Sequence, residues 1–129
     1  MAMNISTKKT KSKMVCRYKE VSPYPNEQLS YNWLNYSYPH YHTHDFWEII
    51  LITQGSTENL INGENHILRL GDMVLLRPQD AHNILNLKKS GCKHLSFTIT
   101  PEYVSQYCKL FSQDDSTYIT LLNLSSPVF

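Results

Sequence analysis

The sequence has no apolar run long enough to cross a membrane. The densest stretch, residues 46–52, is short and is interrupted by Glu48, whereas a spanning helix needs roughly 18 apolar residues or more. It also lacks a secretory signal: Lys8, Lys9, Lys11 and Lys13 near the start are not followed by an apolar region. A cytoplasmic location is therefore expected. Cysteine is scarce. Cys16, Cys92 and Cys108 are odd in number, far apart and free of any C-x-x-C pair, which excludes a disulfide framework and a zinc ribbon and leaves reduced thiols. No excess of one charge is present, since the formal net charge is only +1. Its distribution is uneven: residues 1–19 carry six Lys/Arg and no acid, so the remainder holds six bases against eleven acids. Such a body is not built to neutralise nucleic-acid phosphates. With 41% hydrophobic and 18% charged residues the chain can bury a core, and 129 residues suit one domain.

What is present reads as short strands between turn signals, the pattern of an antiparallel barrel or sandwich. Leu29, Tyr31 and Trp33 alternate with polar residues before Leu34, Tyr36 and Tyr38 continue on the other parity, as in a strand that changes face. Residues 46–53 are rich in aromatic and β-branched side chains and end at Gln54-Gly55, so a central strand covered on both faces is expected. Asn62-Gly63 predicts a tight hairpin joining residues 58–61 to 66–70. Further strands are expected over 73–76, 82–87 and 93–100, separated by Gly71-Asp72, Pro78-Gln79-Asp80 and the Lys88 to Gly91 turn. Thr100-Pro101-Glu102 reads as a helix start. Tyr103, Val104, Tyr107, Leu110 and Phe111 then recur at helical spacing, predicting one closing helix whose apolar stripe packs on the strands. The expected organisation is a flexible basic arm over 1–20, a β-barrel over 21–100 and a helical segment over 101–129.

Four residues offer metal-binding chemistry: His42, His44 and Glu48 in one segment, and His82 some forty residues later. On an extended chain the even-numbered 42, 44 and 48 share a face, which His82 can reach from a neighbouring strand. Three imidazoles and a carboxylate suit a borderline divalent ion such as Zn, Fe, Mn or Ni. Histidines also sit half-buried in ordinary cores, and spacing alone does not separate the two roles.

Set in order, His42-x-His44-x3-Glu48-x6-Gly55 resembles the first motif of the cupins, and Gly71-Asp72 through Pro78 to His82-x3-Asn86 resembles the second. There are departures: Tyr36 stands where a glycine usually opens the first motif, the proline of the second falls one residue late, and Asp80 replaces the glycine after it. The Gly71-to-His82 spacing still equals the family's. Over roughly residues 29–112 the text is similar to the amino-terminal sensing domain of AraC-type transcription regulators, and most similar to members that sense oligosaccharides. The resemblance implies a mainly β, cupin-like jelly roll with one or more carboxy-terminal helices that dimerise. It also implies that DNA is contacted only through a carboxy-terminal domain with two helix-turn-helix motifs, which this sequence does not contain, as if it stopped short of it.

Three readings follow. In the first, the chain is not an enzyme but a homodimeric sensing domain: a small effector, expected to be a sugar, binds among the aromatic faces of Tyr31, Trp33, Tyr38 and Trp47 and the polar groups of the histidine cluster and Asn86. In the second, it is a single-domain metal cupin enzyme, an isomerase or dioxygenase, with His42, His44, Glu48 and His82 holding the ion. No further acid or base has a clear role there. In the third, the odd-numbered face Trp47, Ile49, Leu51 and Thr53 is an interaction surface.

Overall fold

The structure, a computed structural model, describes residues 14–32, 40–85 and 90–129. Two antiparallel-rich sheets face each other. Strands β1 (Met14–Cys16), β3 (His42–His44), β5 (Ser56–Ile61), β6 (Glu64–Arg69) and β8 (His82–Leu85) form one sheet in the order β1-β3-β8-β5-β6. Strands β2 (Leu29–Asn32), β4 (Trp47–Gln54), β7 (Met73–Leu76) and β9 (Lys93–Ile99) form the other, in the order β2-β9-β4-β7. This is the expected cupin-like β-sandwich. Helices α2 (Pro101–Cys108) and α3 (Ser116–Leu122) follow the strands, and a short α1 (Tyr18–Val21) precedes them.

Strand β4 is central, between β9 and β7, because its two sets of side chains both find cover. Its even-numbered Ile50 and Ile52 enter the apolar core with Ile61, Leu68, Val74, Leu76, Ile84 and Cys92. Trp47 and Ile49, of the other parity, lie under the helices, lining a cavity of about 470 Å3 together with Leu75, Tyr103, Val104 and Leu121. The Trp47 ring stands 5.7 Å from that of Tyr118. Trp47 and Ile49, two of the four residues of the expected interaction face, are thus covered from within the chain.

The Asn62-Gly63 turn has φ of 49° and 85° at its two positions, the type I′ pair that matches strand twist, and pairs Ile61 with Glu64. Thr100 caps α2, its hydroxyl accepting from the Tyr103 N–H at 3.3 Å, with proline in the first turn. Residues 127–129 lie along the β7 edge, with Met73 and Phe129 exchanging hydrogen bonds of 2.9 and 2.8 Å.

Three expectations need correction. The arm does not run free to residue 20: β1 pairs parallel with β3, and Cys16 and Tyr18 are buried against Phe46. Residues 42–48 are not one strand, because Asp45 and Phe46 bend the chain from the first sheet to the second; Asp45 Oδ1 accepts the Tyr18 N–H at 2.7 Å there. The closing helix ends at Cys108, so Leu110 and Phe111, 75% and 79% exposed, fall outside the expected stripe, and a second helix, α3, follows within the segment expected to be helical.

Candidate functional site

Cross-strand register brings the histidines together. His42 pairs directly with His82 across β3 and β8, and His44 follows on the same face two residues later. Glu48 comes from the opposite sheet, so the cluster bridges the sandwich instead of lying along one strand. The Nε2 atoms of His44 and His82 each stand 3.3 Å from Glu48 Oε2. Ligand atoms of His44, Glu48 and His82 all lie within 4.8 Å of one another. His42 is adjacent but outside that set: its ring centroid is 4.6 Å from that of His82, and its Nδ1 is 2.7 Å from the His40 carbonyl.

The hydrogen bonding fits a cation. His44 Nδ1 lies 2.6 Å from the Phe46 carbonyl and donates to it, which leaves Nε2 as a lone pair. Among the described residues, that Nε2 and both ring nitrogens of His82 are buried with no polar approach closer than the 3.3 Å from each Nε2 to Glu48 Oε2. The His44 lone pair and a carboxylate oxygen facing each other favour a positive charge between them, and His82 Nε2 is placed to share it. Bonds of about 2.0–2.2 Å to a tetrahedral ion place ligand atoms roughly 3.3–3.6 Å apart, the spacing that each histidine Nε2 keeps to Glu48 Oε2. Ser96 donates to Glu48 Oε1 at 2.7 Å, fixing the carboxylate and leaving Oε2 for the cluster.

Electrostatics agree with that geometry. Burial pushes the Glu48 carboxyl up, but the adjoining imidazoles of His44 and His82 outweigh it and hold it well below the usual carboxylate range. Burial pushes His42 and His94 down, against weaker opposing effects of the His40 carbonyl on the first and the Glu48 charge on the second.

Three interior polar residues escaped the sequence reading. His94 and Ser96 project inward from β9, opposite Ile52 and Ile50 of β4. Asn59 lies on β5, two residues from Ile61, the partner of His82, and neither end of its buried amide is hydrogen-bonded among the described residues. Their even or odd parity was visible, but the face each parity would take depends on register. Of the expected ligand-binding residues, Tyr31 does not line the interior. It is 52% exposed on the outer face of β2, tilted against Phe97, while its neighbour Ser30 points inward. Trp47 likewise faces the helices. Trp33, Tyr38 and Asn86 lie outside the described residues.

A β-sandwich with a His/Glu cluster between its sheets defines a cupin-type domain. A family model described as the AraC-like ligand binding domain matches residues 28–126, and the chain belongs to that family. Over 47 residues it is 38% identical to the HTH-type transcriptional activator RhaS of Mannheimia succiniciproducens, a stretch covering 36% of this chain and 18% of that protein. This chain thus matches under a fifth of that relative's length. Similar solved structures include a cupin protein from Bacteroides fragilis, with 23% identity, TM-score 0.44 and coverage of 57% of this chain and 63% of that one. Another is a cupin 2 conserved barrel domain protein from Salinispora arenicola, at 18% identity and TM-score 0.45, covering 70% of this chain and 80% of that one. Among the described residues no helix is long and apolar enough to cross a membrane.

Proposed function

We propose that the space between the sheets around His44, Glu48 and His82 is the effector site of a transcription regulator's sensing domain, and that the effector is a hydroxyl-rich small molecule of the sugar class. The observation that carries this reading is the set of buried polar atoms that find no partner among the described residues, both ends of the Asn59 amide and His82 Nδ1, beside a carboxylate whose side chain keeps 15% exposure. Unpaired buried donors and acceptors cost about 1–3 kcal/mol each, and vicinal hydroxyls supply both complements at once. A divalent ion on His44, Glu48 and His82, with His42 alongside, would give hydroxyl oxygens a Lewis-acidic anchor. The cytoplasm is the matching location, and DNA contact belongs to a separate domain of such a regulator.

The enzyme reading draws on the same ligands but adds no acid or base to them, and membership of a ligand-binding-domain family supports the sensor. Its output is a homodimer. Tyr107, Leu110, Phe111 and Ile119 expose apolar surface on and beside the helices, and a second copy of this chain is the partner that would cover them.

Thermal unfolding against a panel of mono- and oligosaccharides, with and without Zn2+, tests the site. A ligand at a hundred times its Kd stabilises the native state by about 2.7 kcal/mol, a shift of several degrees. The wild type is expected to respond to at least one sugar, and His82→Ala to none. A panel without any response, or an equal response in both proteins, refutes the assignment.

A further inference from the structure

Asp80 is the residue that departs from the second cupin motif, and its surroundings are unlike those of a turn residue. It is 1% exposed and takes four hydrogen bonds: from the Arg77 N–H at 2.8 Å, from Arg77 Nε at 2.9 Å, from Arg77 Nη2 at 2.8 Å and from Asn62 Nδ2 at 2.8 Å. The remaining guanidinium nitrogen turns the other way. Arg77 Nη1 donates to the carbonyls of Leu122 at 2.5 Å, the last residue of α3, and of Leu124 just beyond it at 3.2 Å, and Gln79 Nε2 adds a bond to Leu122 at 3.2 Å. On the hairpin side the next residue is clamped as well: the Ala81 N–H donates to Asn62 Oδ1 at 2.9 Å, and the Asn62 N–H donates to the Ala81 carbonyl at 2.8 Å. His82 follows directly.

We propose that Arg77 and Asp80 are a positioning pair that couples the site around His82 to the docking of α3, so that occupancy of the site tightens the carboxy-terminal helix and release of the helix loosens the site. The inference rests on the effector-site reading above. Coupling needs an element with two accessible states. Helix α3 is the candidate: it has no buried residue, its start is held only by Asp114 Oδ1 and Ser112 Oγ accepting the Ser116 and Thr117 N–H groups at 3.0 and 3.4 Å, and the Arg77 fork holds its other end. A planar guanidinium suits the task because its donors lie in fixed directions, one edge for the carboxylate and one nitrogen for the helix carbonyls. By linkage the effect is reciprocal, so weakening the fork must also weaken binding at the site.

Hydrogen exchange at residues 60–64, 81–85 and 116–124 tests the coupling, with Co2+ alone as the probe of the site. The proteins are the wild type, Arg77→Ala, Asp80→Asn and the exposed control Arg69→Ala. Without metal, Arg77→Ala and Asp80→Asn are expected to speed exchange at least threefold in all three segments, and Arg69→Ala in none. With Co2+ bound, the wild type is expected to slow exchange over 116–124, a segment that offers this ion no ligand. Arg77→Ala is expected to lose that slowing, to bind Co2+ at least threefold more weakly and to shift its visible absorption. Faster exchange confined to 116–124, or equal Co2+-dependent slowing in wild type and Arg77→Ala, overturns the coupling. If Arg77→Ala does not fold, the shape-conserving Asp80→Asn gives the same readings. Failure of the wild type to bind Co2+ removes the metal from the site, and the metal-free comparison then decides the coupling alone.

Discussion

Glu48 divides its work between its two oxygens. Oε1 accepts from Ser96, and Oε2 faces the two imidazoles, so the serine orients the carboxylate without entering the space between the three side chains. Ser96→Ala is therefore expected to lower Zn2+ affinity about 10- to 100-fold, the usual cost of losing a group that holds a ligand in place. Glu48→Gln should cost more, because it removes the only negative donor among the three. Competition against a chromophoric chelator measures both, and equal affinities in Ser96→Ala and wild type would remove the serine from this role. The histidines and Glu48 were legible in the sequence from spacing, yet the expected reason was only half correct. Parity places His42 and His44 on one face, whereas Glu48 joins them because the chain changes sheets at Asp45-Phe46. Tyr31 shows the limit of the same method: alternation says that Ser30 and Tyr31 point to opposite sides, but not which side is inside.

At the scale of elements, local chemistry was most readable where a backbone conformation demands a residue type. Asn62 and Gly63 both take positive φ, and Asn62 in addition ties the hairpin to Asp80 and Ala81. The two contributions separate by mutation. Asn62→Gly keeps the turn and loses the side-chain bonds, which should cost about 1–3 kcal/mol, while Asn62→Ala adds about 1–2 kcal/mol for left-handed backbone. Urea unfolding of the two variants checks the order; an alanine variant as stable as the glycine one would mean that φ strain is relieved elsewhere. Thr100→Ala should cost about 1 kcal/mol through the lost α2 cap. The segment over 101–129 was expected to be helical, but the break that makes α3 a separate helix was not. Asp114 and Ser112, ahead of the N-cap, accept the Ser116 and Thr117 N–H groups, and the carboxyl end of α3 is satisfied by Arg77, more than forty residues earlier in the chain. β1 was missed for a related reason: three residues after a lysine-rich stretch become a strand only because β3 offers an edge.

At the scale of the whole molecule, the homodimer proposal predicts that Leu110→Glu combined with Phe111→Glu gives a monomer by sedimentation equilibrium with its fold intact, since both side chains are exposed in the single chain. A wild type that is already monomeric at high concentration would refute it. The interior makes a further demand, on pH. His42 and His94 are buried and held below the ordinary histidine value of 6.5, so between their folded values and 6.5 the unfolded chain binds more protons than the native one. Stability is then fully present above about pH 6.5 and falls as the pH drops through the folded values. Glu48 and Asp80 act in the same direction further into acid: both are held below the carboxylate range, so what they contribute is lost as the pH falls through their lowered values. Metal-free protein should therefore show urea midpoints that are level from pH 8 to 7 and decline in two stages below. His94→Gln should flatten the first stage in part, because His42 contributes in the same direction, and leave the second unchanged. A midpoint constant from pH 7 to 5, or a first stage untouched by His94→Gln, would mean that these imidazoles accept protons without cost and that the interior is wetter than its burial implies.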